Sequence, residues 1–127
     1  MATDKVVLGL TRGDDDPESV LICYLLGVAL RAGKQALMWL TKDGVKVVTD
    51  GFADTVSVPN APSIAGLHAE YVERGGRFYA CPVCVKTRGM EDASWAKVKG
   101  APSLYEFTAG GALTFNYEVE PTLSSSR

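Results

Sequence analysis

The chain has 127 residues, of which 46% are hydrophobic and 22% charged, and a net charge of −2. That length reads as one domain, able to bury roughly two-thirds of its unfolded surface without a disulfide or metal staple. The near-neutral balance and scattered Lys and Arg exclude the basic footprint of a nucleic-acid binder, so no nucleic-acid partner is expected.

Lys5 to Leu10 is a continuous apolar run of strand length, as in a parallel strand buried on both faces. Thr11-Arg12-Gly13 ends it. Asp16 then reads as a helix N-cap with Pro17 at the first helical position. From there to Ala32 the chain is almost wholly apolar, and Gly33 follows as a stop. Such a helix meets the sheet on one side and offers apolar surface to another subunit on the other. Its core, Val20 to Leu30, is too short to span a bilayer, so no membrane partner is expected. The opening Met1-Ala2-Thr3-Asp4-Lys5 lacks a signal-peptide profile, so the expected location is cytoplasmic. Thiols stay reduced there, and Cys23, Cys81 and Cys84 point to chemistry or packing rather than a disulfide framework.

Gln35 to Leu40 reads as the second buried strand, and Lys42-Asp43-Gly44 as a turn. Val45 to Phe52 fits two patterns: Val45, Val48 and Phe52 have helical spacing, whereas Val45, Val47 and Thr49 alternate like a strand. Pro59 to Pro62 marks a loop. Ser63 to Arg74 sets Ile64, Leu67, Tyr71 and Val72 on one helical face, and Gly75-Gly76 ends it. Arg77 to Ala80 is the third strand. It runs straight into Cys81-Pro82-Val83-Cys84, which opens a short helix closed by Gly89. Trp95 to Val98 has no clear pattern. Pro102 to Ala109 reads as a helix stopped by Gly110-Gly111, and Ala112 to Tyr117 as the last strand. Residues 1–121 then form a single domain, and the polar tail, 122–127, is expected to fray. Strands alternating with helices predict an α/β fold, a three-layer sandwich with a mainly parallel sheet flanked by helices.

The chemistry concentrates at Cys81. A cysteine where a strand ends and a helix begins faces unsatisfied backbone N–H groups and the positive end of the macrodipole. Both favour the thiolate, the reactive form. Cys84 reads either as a residue packed one turn behind or as a thiol that resolves an adduct on Cys81. Cys23, inside the apolar helix, reads as a packed core thiol. His68, the lone histidine, reads as a surface or interface residue. Zinc takes about four ligands, more than one CxxC and one His supply, so no metal is expected. The carboxylates of Asp14, Asp15 and Asp16 either hold a divalent cation or complement the helix start, the commoner role. Arg12, on the rim shared with Cys81 in a parallel sheet, is a candidate for binding an anionic sulfur substrate. Neither a dinucleotide fingerprint nor a P-loop is present, so no organic cofactor is expected.

The order of three segments resembles the DsrE/DsrF-like sulfur-relay family: Thr11-Arg12-Gly13-Asp14 after the first strand, Asp43-Gly44-Val45 after the second, and Gly75-Gly76-Arg77-Phe78-Tyr79-Ala80-Cys81-Pro82 around the third. The resemblance covers roughly Val6 to Phe115. It implies a DsrE-like α/β fold assembled as homotrimers or homohexamers, a persulfide-carrying cysteine at Cys81, and a helical Val45 to Phe52. It also implies sulfur donor and acceptor proteins, or small thiols, as partners. The leading expectation is a sulfur carrier or slow sulfurtransferase acting through Cys81, with Cys84 resolving. The alternatives are a thioredoxin-like dithiol redox module and a non-catalytic oligomeric scaffold or small-ligand-binding protein.

Overall fold

The computed structural model describes residues 4–30, 34–90 and 97–117. Four strands, β1 (Lys5–Leu10), β2 (Gln35–Leu40), β3 (Arg77–Ala80) and β4 (Leu113–Tyr117), form one sheet in the order β3-β2-β1-β4. Every neighbouring pair is parallel, with Leu8 opposite Met38 and Phe115, and Met38 opposite Phe78. Parallel neighbours need long crossovers, and the helices supply them. These are α1 (Pro17–Leu30), α2 (Phe52–Thr55), α3 (Ile64–Glu73), α4 (Pro82–Thr87) and α5 (Ala101–Thr108).

The first three strands have the bounds their apolar runs predict; β4 starts one residue later than expected. Between β2 and α2, Lys42–Val48 is a 3-10 helix with Val45, Val47 and Val48 buried. The helical alternative for Val45 to Phe52 therefore holds, in a tighter form, only to Val48: Thr49 is extended and Phe52 begins α2; the turn expected at Lys42-Asp43-Gly44 is the first turn of the 3-10 helix. Ser63 caps α3, its Oγ accepting from Gly66 N at 3.1 Å. One expectation for α3 fails: Ile64 and Tyr71 are buried, but Val72 is 46% exposed. Being adjacent to Tyr71, Val72 is turned about 100° away from it around the helix axis. The stop expected at Ala32 and Gly33, Trp95 and Ala96 of the segment without a clear pattern, and the tail lie outside the described residues.

The sheet has two unequal cores. Val6, Leu8 and Leu10 of β1, with Ala36, Met38, Leu40, Phe78 and Ala80, face α1 and α3 and bury Val20, Cys23, Tyr24, Ile64 and Tyr71. The opposite face gathers Val7, Leu37 and Phe107 of α5, with Trp39 and Tyr79 partly buried. Helices thus lie on both faces, and the α1/α3 side carries most of the core.

Gly44 shows how tightly the carboxyl ends of the strands are closed. A Cβ on it would lie 2.1 Å from the Leu10 carbonyl oxygen, a backbone atom that cannot step aside. Gly66, within α3, has Ser63 atoms no nearer than 3.7 Å to its missing Cβ. Gly44→Ala is expected to destabilise the fold by about 2 kcal/mol or more. Gly66→Ala is expected to stabilise it by about 0.5–1 kcal/mol through helix propensity and a less flexible unfolded chain. Urea unfolding midpoints of the two variants test this, and shifts of the same sign would contradict the packing described.

Candidate functional site: a dithiol at the sheet rim

Three loops converge where β1, β2 and β3 end, the edge at which parallel sheets carry their sites. Backbone pairing carries on past the strands: Thr41 N donates to Leu10 O at 3.2 Å, and Cys81 N to Leu40 O at 2.9 Å. The loops interlock at their glycines. A Cβ on Gly13 would meet the Asp43 carbonyl oxygen at 2.6 Å, just as one on Gly44 would meet that of Leu10. The segments around Gly13 and Gly44 are pressed together because neither glycine carries a side chain.

Cys81 is the residue before α4, with extended backbone (φ −62°, ψ 123°), and its carbonyl accepts from Val85 N at 3.0 Å. Pro82 follows in the first turn, where it removes no needed donor. Cys81 is half-buried, and Val83 beside it is 70% exposed. Cys84 lies one turn in, also half-buried. Its Sγ accepts from the backbone N–H of Lys42 at 3.1 Å. Lys42 adopts φ +52°, a left-handed conformation uncommon outside glycine. Burial pushes the Cys84 thiol above its ordinary range, and a hydrogen bond to Cys81 and negative charge on Cys81 push the same way. The Lys42 N–H and the Arg88 charge pull it back. Two unlike thiols result: an outer sulfur at the helix start and an inner one that keeps its proton.

Arg88 stands one turn beyond Cys84. Its Nε donates to Asp43 Oδ1 at 2.8 Å and its Nη1 to the Cys84 carbonyl at 3.3 Å. The Arg88 hydrogen bond, with the charges of Lys46, Arg88 and Arg12, holds the Asp43 carboxyl below its usual range. Lys46 lies 3.9 Å from Asp43 and 3.3 Å from Asp14. Arg12 is on this rim as expected, but its guanidinium is bonded to Asp15 at 2.7 Å. Asp16 caps α1, accepting from Ser19 N at 3.3 Å and Ser19 Oγ at 2.7 Å. Each of the three aspartates thus has its own protein partner. Asp43 and Arg88 enter the site beyond the residues singled out from sequence. The available signal was the spacing of four between Cys84 and Arg88, which puts both on one helical face.

Cys23 is fully buried, and burial pushes its thiol far up, as a packed core residue requires. His68, read from sequence as a surface or interface residue, is half-buried. Its Nδ1 lies 2.6 Å from the hydroxyl of Tyr24, a fully buried residue, and its ring stacks on Phe78. A cavity of about 140 Å³ opens beside it, lined by Phe52, Asp54, Lys97 and the 47–51 backbone. Burial and the nearby Lys97 charge lower the His68 pKa, while Asp54 opposes them.

The sequence profile of the DsrE/DsrF-like family matches residues 4–117. The chain is 22% identical over 108 residues to the uncharacterized protein MJ0760 of Methanocaldococcus jannaschii, covering 82% of this chain but 39% of that protein, so it spans about two-fifths of that relative's length. Among solved structures it resembles the ychN protein from E. coli, with TM-score 0.67 and 17% identity over 90% of this chain and all of the other. It also resembles BT1422 from Bacteroides thetaiotaomicron, with TM-score 0.60 and 17% identity over 89% and 94% of the two chains. At such identity the structural likeness concerns the fold, which is that of the sheet and helices described.

The His68 shift has a pH signature. Unfolded, His68 titrates near its ordinary 6.5; folded, it holds out to lower pH. Between those values the unfolded chain binds more protons, so stability falls as pH drops below about 6.5 and levels off beneath the folded pKa. Thermal unfolding of the wild type and His68→Phe across this window is expected to show the steeper decline in the wild type. Parallel curves would mean that His68 titrates as it does in water.

Proposed function

The chain belongs to the DsrE/DsrF-like family, and from that premise we propose that it carries sulfane sulfur as a persulfide on Cys81, with Cys84 as the resolving thiol. The observation that carries this reading is the unlike pair of thiols at the sheet rim: Cys81 at the start of α4, Cys84 behind it with its thiol pushed up. In loading, the Cys81 thiolate attacks the outer sulfur of a donor persulfide. The S–S bond of the donor breaks, the outer sulfur moves with its hydrogen to Cys81, and the donor leaves as a thiolate. In delivery, an acceptor thiolate attacks that same outer sulfur and Cys81 leaves as the thiolate. No external oxidant is needed. Arg12, with its charge on the same rim, favours the approach of anionic sulfur species. Donor and acceptor are proteins or small thiols of a reducing, cytoplasmic compartment. The protein works as a carrier or slow sulfurtransferase.

A second reading, a dithiol redox module, is favoured by the placement of two free thiols one helical turn apart, since a disulfide needs the two sulfurs adjacent. Intact mass after incubation with a persulfide donor separates the two. Gain of one sulfur that persists in Cys84→Ser and vanishes in Cys81→Ser is the expected result, with a longer-lived adduct in Cys84→Ser. Loss of two hydrogens in the wild type with no sulfur gain in Cys84→Ser would favour the redox module. Loading that vanishes only in Cys84→Ser would reverse the roles of the thiols.

We also propose that the chain works as a homotrimer or homohexamer. On α1, Ile22 and Leu25 are 43% and 40% exposed, and on the edge strand β4 Leu113 and Phe115 expose further apolar surface. Apolar surface of this kind marks subunit contacts. Light scattering at micromolar concentration is expected to return three or six chains, and Leu25→Glu to lower that number. A wild-type monomer would overturn this assembly.

A further inference from the structure

We infer that Asp43 and Arg88 are positioning residues for Cys84: their ion pair fastens the turn after β2 to α4 and so holds the Lys42 N–H on the Cys84 sulfur. The inference rests on the reading of Cys84 as the resolving thiol and adds what controls it. Arg88 grips both sides of the junction, Asp43 Oδ1 at 2.8 Å in the turn and the Cys84 carbonyl at 3.3 Å in the helix. Lys42, next to Asp43, makes the 3.1 Å contact with Cys84 Sγ from a left-handed conformation that a lysine adopts only when its surroundings impose it. The turn is also pressed against Leu10 and Gly13, so the clasp adds a tie toward α4 to the glycine contacts toward β1. The ion pair is partly shielded, with the Arg88 and Asp43 side chains 27% and 32% exposed.

The consequence falls on the resolving step. Cys84 gives its proton to solvent, and its sulfur electron pair forms the bond to Cys81 Sγ. The outer sulfur then leaves with its hydrogen as hydrosulfide. Cys84 is oxidised and the departing sulfur reduced, and a small thiol later reduces the Cys81–Cys84 disulfide. The step needs the Cys84 thiolate. Cys81 just before α4, the Arg88 charge just after it and the Lys42 N–H on the 3-10 helix act on it, with Asp43 paired to Arg88 and Lys46 beside Asp43. Of these, the Lys42 N–H is a donor aimed at the sulfur itself, and the clasp determines whether it stays there.

The test measures iodoacetamide labelling of Cys84 against pH in the full chain carrying Cys81→Ser, read by peptide mass spectrometry. Adding Arg88→Gln is expected to move the profile to higher pH and slow labelling near pH 7 by about tenfold, the effect of one pKa unit on thiolate content. Arg88→Lys keeps the charge but offers its donors from a single nitrogen, without the planar fork that reaches both partners, so it is expected to restore little. Asp43→Asn, close in shape, is expected to act in the same direction and provides the measurement if Arg88→Gln does not fold. A folded Arg88→Gln or Asp43→Asn protein whose profile matches its parent would overturn the inference, as would full rescue by Arg88→Lys, which would reduce the role of Arg88 to charge alone. No sulfur donor enters this measurement. Failure of wild-type Cys81 to take up sulfur would therefore end the carrier reading and leave the clasp standing.

Discussion

The arrangement depends on one steric constraint, the backbone-to-backbone contact at the carboxyl end of β1. Gly44 sits so close to the Leu10 carbonyl that any side chain would collide with it, and Gly13 is as closely placed against Asp43. This contact draws the turn after β2 over the ends of β1 and β2 and compresses Lys42–Val48 into a 3-10 helix rather than a strand or a wider α-turn. Lys42 takes up the sharpest bend, with positive φ. Its N–H consequently points away from the sheet, toward the next loop. The donor at Cys84 is thus a product of packing two loops further back.

From that contact the electrostatics of the site follow. A thiol half-buried among apolar groups keeps its proton unless donors or cations compensate. At Cys84 the compensation is partial, one backbone N–H and one guanidinium, so burial still holds the inner thiol above its ordinary range. The division of labour does not require different residue types. Two identical side chains three positions apart become unlike because one is at the helix start and the other is covered. The chain of partners Asp14–Lys46–Asp43–Arg88 links the loops after β1 and β2 to α4, with each charge matched by its neighbour.

Much of the fold was legible in the sequence because a parallel sheet buried on both faces writes itself as uninterrupted apolar runs. Lys5–Leu10 and Gln35–Leu40 are such runs, and Asp16 announces its helix through a cap. Val45 to Phe52 was ambiguous for a physical reason: buried valines satisfy helix and strand periods alike over so short a span, and the Gly44–Leu10 contact that decides between them is non-local. The motif at Cys81 was legible as strand, cysteine and Pro-led helix. Its inner half was not, since the Lys42–Cys84 contact spans 42 residues and the Arg88–Asp43 pair 45. The inward contact of His68 was hidden on the same ground. Nothing local announces that Tyr24, 44 residues away, delivers its hydroxyl to the ring.

The unequal cores explain why this edge of the sheet holds a defined geometry. On the α1/α3 face, Tyr24, Tyr71, Phe78 and His68 form edge-on and stacked ring contacts with centroids 5.1 to 6.4 Å apart, and Phe78 belongs to the strand that ends at Cys81. Such contacts add orientation to mere burial. On the other face Phe107 works with Val7 and Leu37, and Trp39 and Tyr79 stay partly open. Strand β3 is also an edge strand, paired along one side by β2 and, among the described residues, touched on the other by the Ala80–Val98 bridge. An edge strand is free to shift unless its side chains hold it. Phe78 and Ala80 anchor β3 in the thicker core, and Cys81 follows directly from that anchor. The thiol therefore inherits its position from the aromatic cluster beneath the sheet, while the glycine contact and the clasp supply its surroundings from above.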